Sequence, residues 1–504
     1  MAKYRTTEAA AGQGLFLTVN LQDQLIPGTF EYMLNELIGT KIDVSIFDKK
    51  YKNDHVGAPA VPPSILLKLI IYGYMKGYIS SRKISELNRN NMVAKALTGD
   101  MEIHWTTIAE FISSNRKEFE IVFVKVLMYC NELELIGGED YAIDGVRLPS
   151  NASIQMSGTK EELEKRVKQY QKMAEKHIKR HEKKDEDGEM DKETEERFVK
   201  RQEHLAHQIE KINEFIEKME AKEGQHGQEL KSNVTDNDSA MIHSSKGNIQ
   251  GYIGIGAVDG KKQIIVSGQA VGSANETPYL PELLDKTIEN LKEAEVKPIE
   301  EGKKQIVLAD SNYFSEDNLR ACQERGIKGI IPDSQEKRRF NCDGQRRYDV
   351  TDFNYEEETD SYVCPQGKIL IYKRTINRDG IEYKVYEANV KDCRACPEFG
   401  RCSWSKVTQS KQKKGKALMI SNKNGPDSLC RKMIEKMKTE EYQAKYSRRI
   451  QIVEPVFANI RYCKGLNRFT LRGKEKVNGQ WTLYCMVHNL EKCLKGYNKG
   501  LKSA

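Results

Sequence analysis

Between residues 141 and 333 the chain switches repeatedly between strand-like and helix-like hydrophobic period, and that alternation limits the folds open to it. YAIDGVRL (141–148) reads as a short strand, and GYIGIGAVD (251–259) with QIIVSGQAV (263–271) as a hairpin across a Gly-Lys turn. PYLPELLDKTIENLKEAE has the spacing of an amphipathic helix, and QIVLAD (305–310) is a buried strand. SEDNLRACQERG is a helix with a Ser cap and acidic first turn, and GIIPD is the closing strand. The order strand, hairpin, helix, strand, helix, strand predicts a mixed α/β sheet. One long stretch interrupts it after the first strand. Leu163, Val167, Tyr170, Ala174 and His177 recur at spacings of four and three, as do Leu205, Ile209, Ile212, Ile216 and Met219, amid Glu, Lys, Arg and Gln. This predicts an antiparallel helical hairpin with a narrow apolar seam and solvated outer faces.

Upstream, Pro62-Pro63 precede SILLKLIIYGYMKGY, the serines of SSRKISELNRN cap a further helix, and Thr106 or Thr107 is expected to cap TTIAEFISSNRKEFEIVFVKVL. Short helices with polar connectors suit a helix-turn-helix-like module and, on pattern alone, an ordinary helical bundle equally well. Residues 334–440 read as irregular, basic and cysteine-bearing. A helix over 442–462, the loop KGLNRFTLRGKEKVNGQ and the helix WTLYCMVHNLEKCL follow.

Charge narrows the function classes. From Tyr446 to Ala504 twelve Lys/Arg face three Asp/Glu, so of the net +7 all the excess lies in this segment and the other 445 residues sum to −2. Phe457, Tyr462, Phe469, Trp481 and Tyr484 interleave with the basic residues, which marks a folded surface for an anionic polymer rather than a solvating tail. The longest apolar run, Ile65 to Met75, is broken by Lys68 and too short to cross a bilayer. The first residues show no basic start followed by an apolar run, so the eleven cysteines do not read as a secreted disulfide scaffold, and a cytoplasmic protein is expected.

Three carboxylates stand out. Asp144 and Asp310 are expected at the ends of strands that can lie side by side, and Glu454 falls on the later helix. Brought together they would hold one or two Mg²⁺ ions through hard oxygen ligands, the arrangement that serves in-line phosphoryl displacement, with neighbouring Arg and Lys on the phosphates. Taken singly, each has an ordinary reading as a turn, cap or solvated residue. Cys364 and the Cys393-x2-Cys396-x5-Cys402 run offer four thiols, a candidate tetrahedral Zn²⁺ site with Cys342 as an alternative ligand; reduced, unligated thiols are the other reading. The remaining cysteines from Cys130 to Cys493 read as core or surface thiols. GYIGIG lacks the strand-then-helix setting of a dinucleotide loop. His104, His243 and His488 form no metal pattern, His488 being a helix-face or near-site residue, and Asp236 and Asp238 read as a polar loop.

IDGVRLPSNAS, VLADSNYFSEDNL and VEPVFANIRYCKGLNRFTLRGKEKVNGQWTLYCMVHNL resemble the three signature blocks of bacterial insertion-sequence DDE transposases, and PPSILLKLIIYGYMKGYISSRKISELNRNN resembles their helical N-terminal domain. The resemblance implies an RNase H-like mixed-sheet catalytic domain, a helical N-terminal DNA-binding domain (1–135), a charged helical-hairpin insertion (159–230) and a Cys-bearing insertion (334–440). The catalytic domain would be assembled from 136–158, 231–333 and 441–504. It implies Asp144, Asp310 and Glu454 as the metal-binding triad with Mg²⁺ or Mn²⁺, and DNA, as inverted-repeat ends and target, as partner of a homodimer that is nucleoid-associated when bound. Tyr446 and Arg449 keep the first gap of the family's Tyr-Arg-Glu-Lys signature; four residues rather than three then precede Glu454, and Arg461 stands where Lys is usual. Arg461, Lys464, Arg468, Arg472 and Lys474 are the further DNA-binding candidates. A catalytically inactive DNA-binding regulator is the alternative, and a scaffold built on the charged hairpin leaves the α/β region unexplained.

Overall fold

A computed structural model describes residues 20–51, 59–186, 192–224, 227–244, 247–297, 303–333, 346–378, 380–402, 411, 413–421 and 424–503; Cys342 lies outside them. The N-terminal helices are α1 (Phe30–Leu37), α2 (Pro63–Met75), α3 (Ser81–Asn90), α4 (Met92–Thr98), α5 (Trp105–Ser114) and α6 (Arg116–Glu132). Pro63 opens α2, where a missing N–H costs nothing, and Ser80 caps α3 by accepting from the Lys83 amide. The cap of α5 is neither Thr106 nor Thr107. His104 stands at that position and its ring accepts from the Thr106 amide, which leaves both threonines inside the first turn.

The central sheet is built from β1 (Asp140–Pro149), β2 (Ala240–Ser244), β3 (Gly247–Asp259), β4 (Ile265–Val271), β5 (Ile306–Ala309) and β6 (Lys328–Ile330). Its order is β6-β5-β1-β3, and the far edge of β3 is shared by β2 along its first part and β4 along its second. β5 runs parallel to β1 and β6, while every pairing of β3 is antiparallel. α9 (Leu280–Glu293) and α10 (Glu316–Glu324) are the crossover helices. Between β1 and β2 stand α7 (Lys160–Glu186) and α8 (Lys192–Lys218), packed through a small cluster that includes Leu163, Val167 and Ile212. The expected seam is therefore present, with His181 stacked on Phe198 at 3.8 Å beyond it.

The described residues between 346 and 440 are less irregular than their sequence suggests. β7 (Asn354–Glu356), β8 (Ser361–Val363), β9 (Ile369–Arg378), β10 (Ile381–Ala388) and β11 (Ala417–Ile420) form an antiparallel sheet in chain order, with the short α11 (Val390–Arg394) before β11 and α12 (Leu429–Met437) after it. In β9 only Leu370 is buried, so the alternation that announces a strand is hidden under Lys and Arg.

The chain ends with α13 (Glu440–Ala458) and α14 (Lys474–Ser503). α14 starts seven residues before the expected Trp481. Asp238 accepts its first backbone amide, Lys474, at 2.8 Å, and Asp236 accepts Gly473 N at 3.0 Å and the Tyr252 hydroxyl at 2.8 Å. The two acids of the polar loop thus hold the helix entry. α14 also finishes the open edge of β4. The Asn478 amide accepts from Ala270 N and donates to Ala270 O, and Asn489 does the same with Ile265, all at 2.8–2.9 Å. Eleven residues separate the two asparagines, about three turns, so both face the strand and stand in for a missing neighbour. On its other side α14 meets the N-terminal helices, with Tyr484 stacked on Tyr74 at 4.3 Å and Cys493 against Cys130 at 3.4 Å. The N-terminal helices and the sheet share one core.

His488, on the same helix, is buried and neutral. Its Nε2 donates to Gln263 O at 2.9 Å, while Nδ1 faces the Asn459 amide at 3.2 Å. Burial, reinforced by Lys492 and Lys464 against the opposing pull of Glu491, lowers its pKa from 6.5 to about 4. The unfolded chain takes up this proton below pH ~6.5 while the folded chain refuses it until about 4, so stability falls as pH drops through that window, by about 3 kcal/mol. Denaturant unfolding at pH 7 and pH 4.5 should show a loss that His488→Gln reduces; an equal loss in both proteins would remove His488 as the cause.

Candidate active site

Asp144 and Asp310 are neighbours by register. Ile143 pairs with Ala309 across the parallel β1–β5 ladder, and each aspartate is the next residue along its strand. Asp310 does end β5, where its Oδ1 accepts Ser311 N at 2.6 Å and caps a single 3₁₀ turn. Asp144 instead lies in the middle of β1, because the strand continues to Pro149 along β3 after its parallel partner has stopped.

A third carboxylate stands beside them. Glu276, in the loop before α9, is buried, accepts Asn312 Nδ2 on Oε1 and the Tyr313 hydroxyl on Oε2, both at 3.2 Å. Asn312 Nδ2 also lies 3.2 Å from Asp310 Oδ2. A Cβ on Gly145 would come within 2.2 Å of Glu276 Oε2, so the glycine after Asp144 is what lets the two approach. Burial, then the charge of Asp144, raises the Glu276 pKa, and burial, opposed by Arg449 and aided by Asp310, raises that of Asp144. No hydrophobic period or motif marks an acid in the segment SANETP, so sequence reasoning had no signal for it.

Arg449 and Tyr446 reach this group from α13. Arg449 Nη1 donates to Asp144 Oδ2 at 3.0 Å, and its guanidinium lies 5.9 Å from the Tyr446 ring. Burial pulls the Arg449 pKa down, but Asp144 and Tyr446 outweigh it and the net shift is upward. Its Nε is buried and has no hydrogen-bond partner. Glu454 lies five residues beyond Arg449, about 140° further round the helix, and is exposed, while Val453 takes the inward position. Next to it Pro455 leaves the Gln451 carbonyl without its helical donor, and Gln263 Nε2 fills the gap at 2.8 Å. Among the described residues no three His, Cys, Asp or Glu side chains stand close enough to hold a metal ion as they are.

The basic candidates divide. Arg468 donates to Asn151 Oδ1 at 2.8 Å and Arg472 to Asn151 O at 2.6 Å, so both are held, exposed, at the end of β1. Lys474 is exposed and Arg461 half-exposed, its guanidinium over Tyr462 at 5.7 Å. Lys464 departs from the expectation: its side chain is 1% exposed and its ammonium is committed to Glu491 at 2.6 Å, so it anchors α14 rather than facing a ligand.

Two family models match. The Transposase DDE domain covers residues 363–494, and the Transposase domain (DUF772) covers residues 19–114. The chain is thus similar to the DDE transposases of insertion sequences. No curated protein and no solved structure matches. In this chain the DDE match contains Arg449 and Glu454, whereas Asp144 and Asp310 precede it and are placed by the sheet register. The DUF772 match spans α1 to α5. No described helix is long and apolar enough to cross a membrane.

Proposed function

We propose that this chain is a transposase that binds the inverted-repeat ends of a mobile element, then cleaves and rejoins DNA by in-line phosphoryl transfer. The observation that carries the reading is the buried, partnerless Nε of Arg449 beside two adjacent aspartates: an unused cationic donor at an acidic site suits a phosphodiester. The strand order supports it, since three antiparallel strands followed by two parallel ones, with an acid on each of the adjoining central strands, is the RNase H-like arrangement.

The oxygen donors of Asp144 and Asp310 fit a hard divalent cation, Mg²⁺ or Mn²⁺, and Glu454 would be its third ligand. Bound there, one or two such ions would supply Lewis acidity to the phosphate. The chain's own residues do the rest. Arg449 balances Asp144, and Asn312 ties Asp310 to Glu276. Arg461, Arg468, Arg472 and Lys474 line the approach of the backbone, the N-terminal helices and the basic insertion read the ends, and a homodimer brings two ends together. Such a protein works in the cytoplasm, on the nucleoid.

The outward position of Glu454 favours one other reading, a DNA-binding regulator without catalysis. Purified protein with DNA carrying the element's ends separates the two. Nicking at the ends with Mg²⁺ or Mn²⁺, absent with EDTA, is expected, and Arg449→Lys should slow it about ten- to a hundredfold, because an ammonium lacks the second donor. Binding without cleavage by the unaltered protein would decide for the regulator.

A further inference from the structure

The cysteine motif takes no part in the reaction proposed above, yet the fold collects it. Cys364 lies between β8 and β9, Cys393 in the short helix after β10, and Cys396 and Cys402 in the turns that follow. All four line one cavity of about 260 Å³ beneath Phe353. None of the four is in a disulfide.

The backbone around them is already arranged. Cys364 N donates to Lys368 O and Gly367 N to Cys364 O, each at 2.8 Å, and this tight turn aims Lys368 N at Cys364 Sγ at 3.3 Å. Lys416 N donates to Cys393 Sγ at the same distance, and the turn from Cys396 N to Cys393 O keeps the x2 pair on one side of the chain. The half-buried Lys416 side chain interacts electrostatically with both Cys393 and Cys402.

We propose that Cys364, Cys393, Cys396 and Cys402 bind one structural Zn²⁺ that clamps the β7–β11 sheet. Four soft thiolates select zinc over the hard cations of the reaction site, and a closed four-sulfur shell leaves no open position for catalysis. The thiols ring the cavity without converging, so binding turns them inward and releases their protons to solvent. Four thiolates around Zn²⁺ leave a net −2, part of which Lys416 offsets. The need for a clamp is visible in the sheet itself. Its core has seven buried residues, three of the four cysteines pack against that core, and β9 exposes Ile369 and Ile371 by half. So small a core is the setting in which a metal supplies the missing stability.

Zinc content of the full chain, purified without chelator, tests this. About one zinc ion per chain is expected, falling at least tenfold in Cys396→Ser and unchanged in Cys463→Ser, whose thiol is exposed elsewhere. Should Cys396→Ser not fold, Co²⁺ replacement in the unaltered chain still decides, because four thiolates give an intense sulfur-to-cobalt charge-transfer band. Zinc far below one per chain with all thiols reactive, two thiols lost to a disulfide, a cobalt spectrum without that band, or zinc retained by Cys396→Ser would each overturn the site.

Discussion

An Asp310→Asn chain should bind end DNA as tightly as the unaltered chain and cleave it at least about a thousandfold more slowly. The substitution removes one charge and the acceptor for Asn312 Nδ2, and it spares the turn. Asp310 caps its 3₁₀ turn through Oδ1, and an asparagine carbonyl can accept the same Ser311 amide, so the turn and β5 keep their geometry. Gel shift and cleavage on one preparation measure the two effects separately. Cleavage within tenfold of the unaltered chain would remove Asp310 from the reaction and leave the sheet register without chemical meaning. The companion change, Asp144→Asn, is less clean. It strips the buried Arg449 of its carboxylate at 3.0 Å, so a loss of stability is expected beside the loss of cleavage.

Trp481→Ala should be the most destabilising single change, at about 3–5 kcal/mol. Its ring is fully buried between β3, β4 and α13, its Nε1 donates to Ile255 O at 3.1 Å, and Phe457 stacks on it at 6.2 Å. The strands beneath it carry glycine so that the ring can lie on the backbone: a Cβ at Gly254 would meet the ring at 2.9 Å, and one at Gly268 would meet Nε1 at 2.9 Å. Truncation therefore opens a cavity that rigid strands cannot close, and it leaves the Ile255 carbonyl without a donor. Chemical denaturation would show the shift in midpoint. A change under about 1 kcal/mol would mean the ring is not the wedge between sheet and helix.

What could be read from the sequence is what local chemistry announces. Ser80, Ser315 and Pro63 mark helix starts, and the strands from 251 to 330 show themselves because they are apolar or alternate. The β7–β11 sheet hid because its strands are charged on the open face, and His104 hid as a cap because histidine seldom takes that position. At the site, the two aspartates and Arg449 were legible through their motif blocks. Glu276 was not, since it reaches Asp144 through a loop 132 residues downstream that carries no periodic signal. Lys464 was misplaced for a related reason: a lysine in a basic segment looks like every other until its partner on another helix is known.

The contact between Cys130 and Cys493 also sets a clock for the growing chain. The two residues are 363 positions apart. At the usual pace of translation the N-terminal helices emerge roughly 20–70 s before the helix that covers them. Until then the apolar faces of α2 and α6 stay uncovered, and β4 has no asparagines along its outer edge. Fragments that stop before α14 should therefore be chaperone clients rather than small soluble domains, and ribosomes released early would yield aggregation-prone chains instead of free DNA-binding modules.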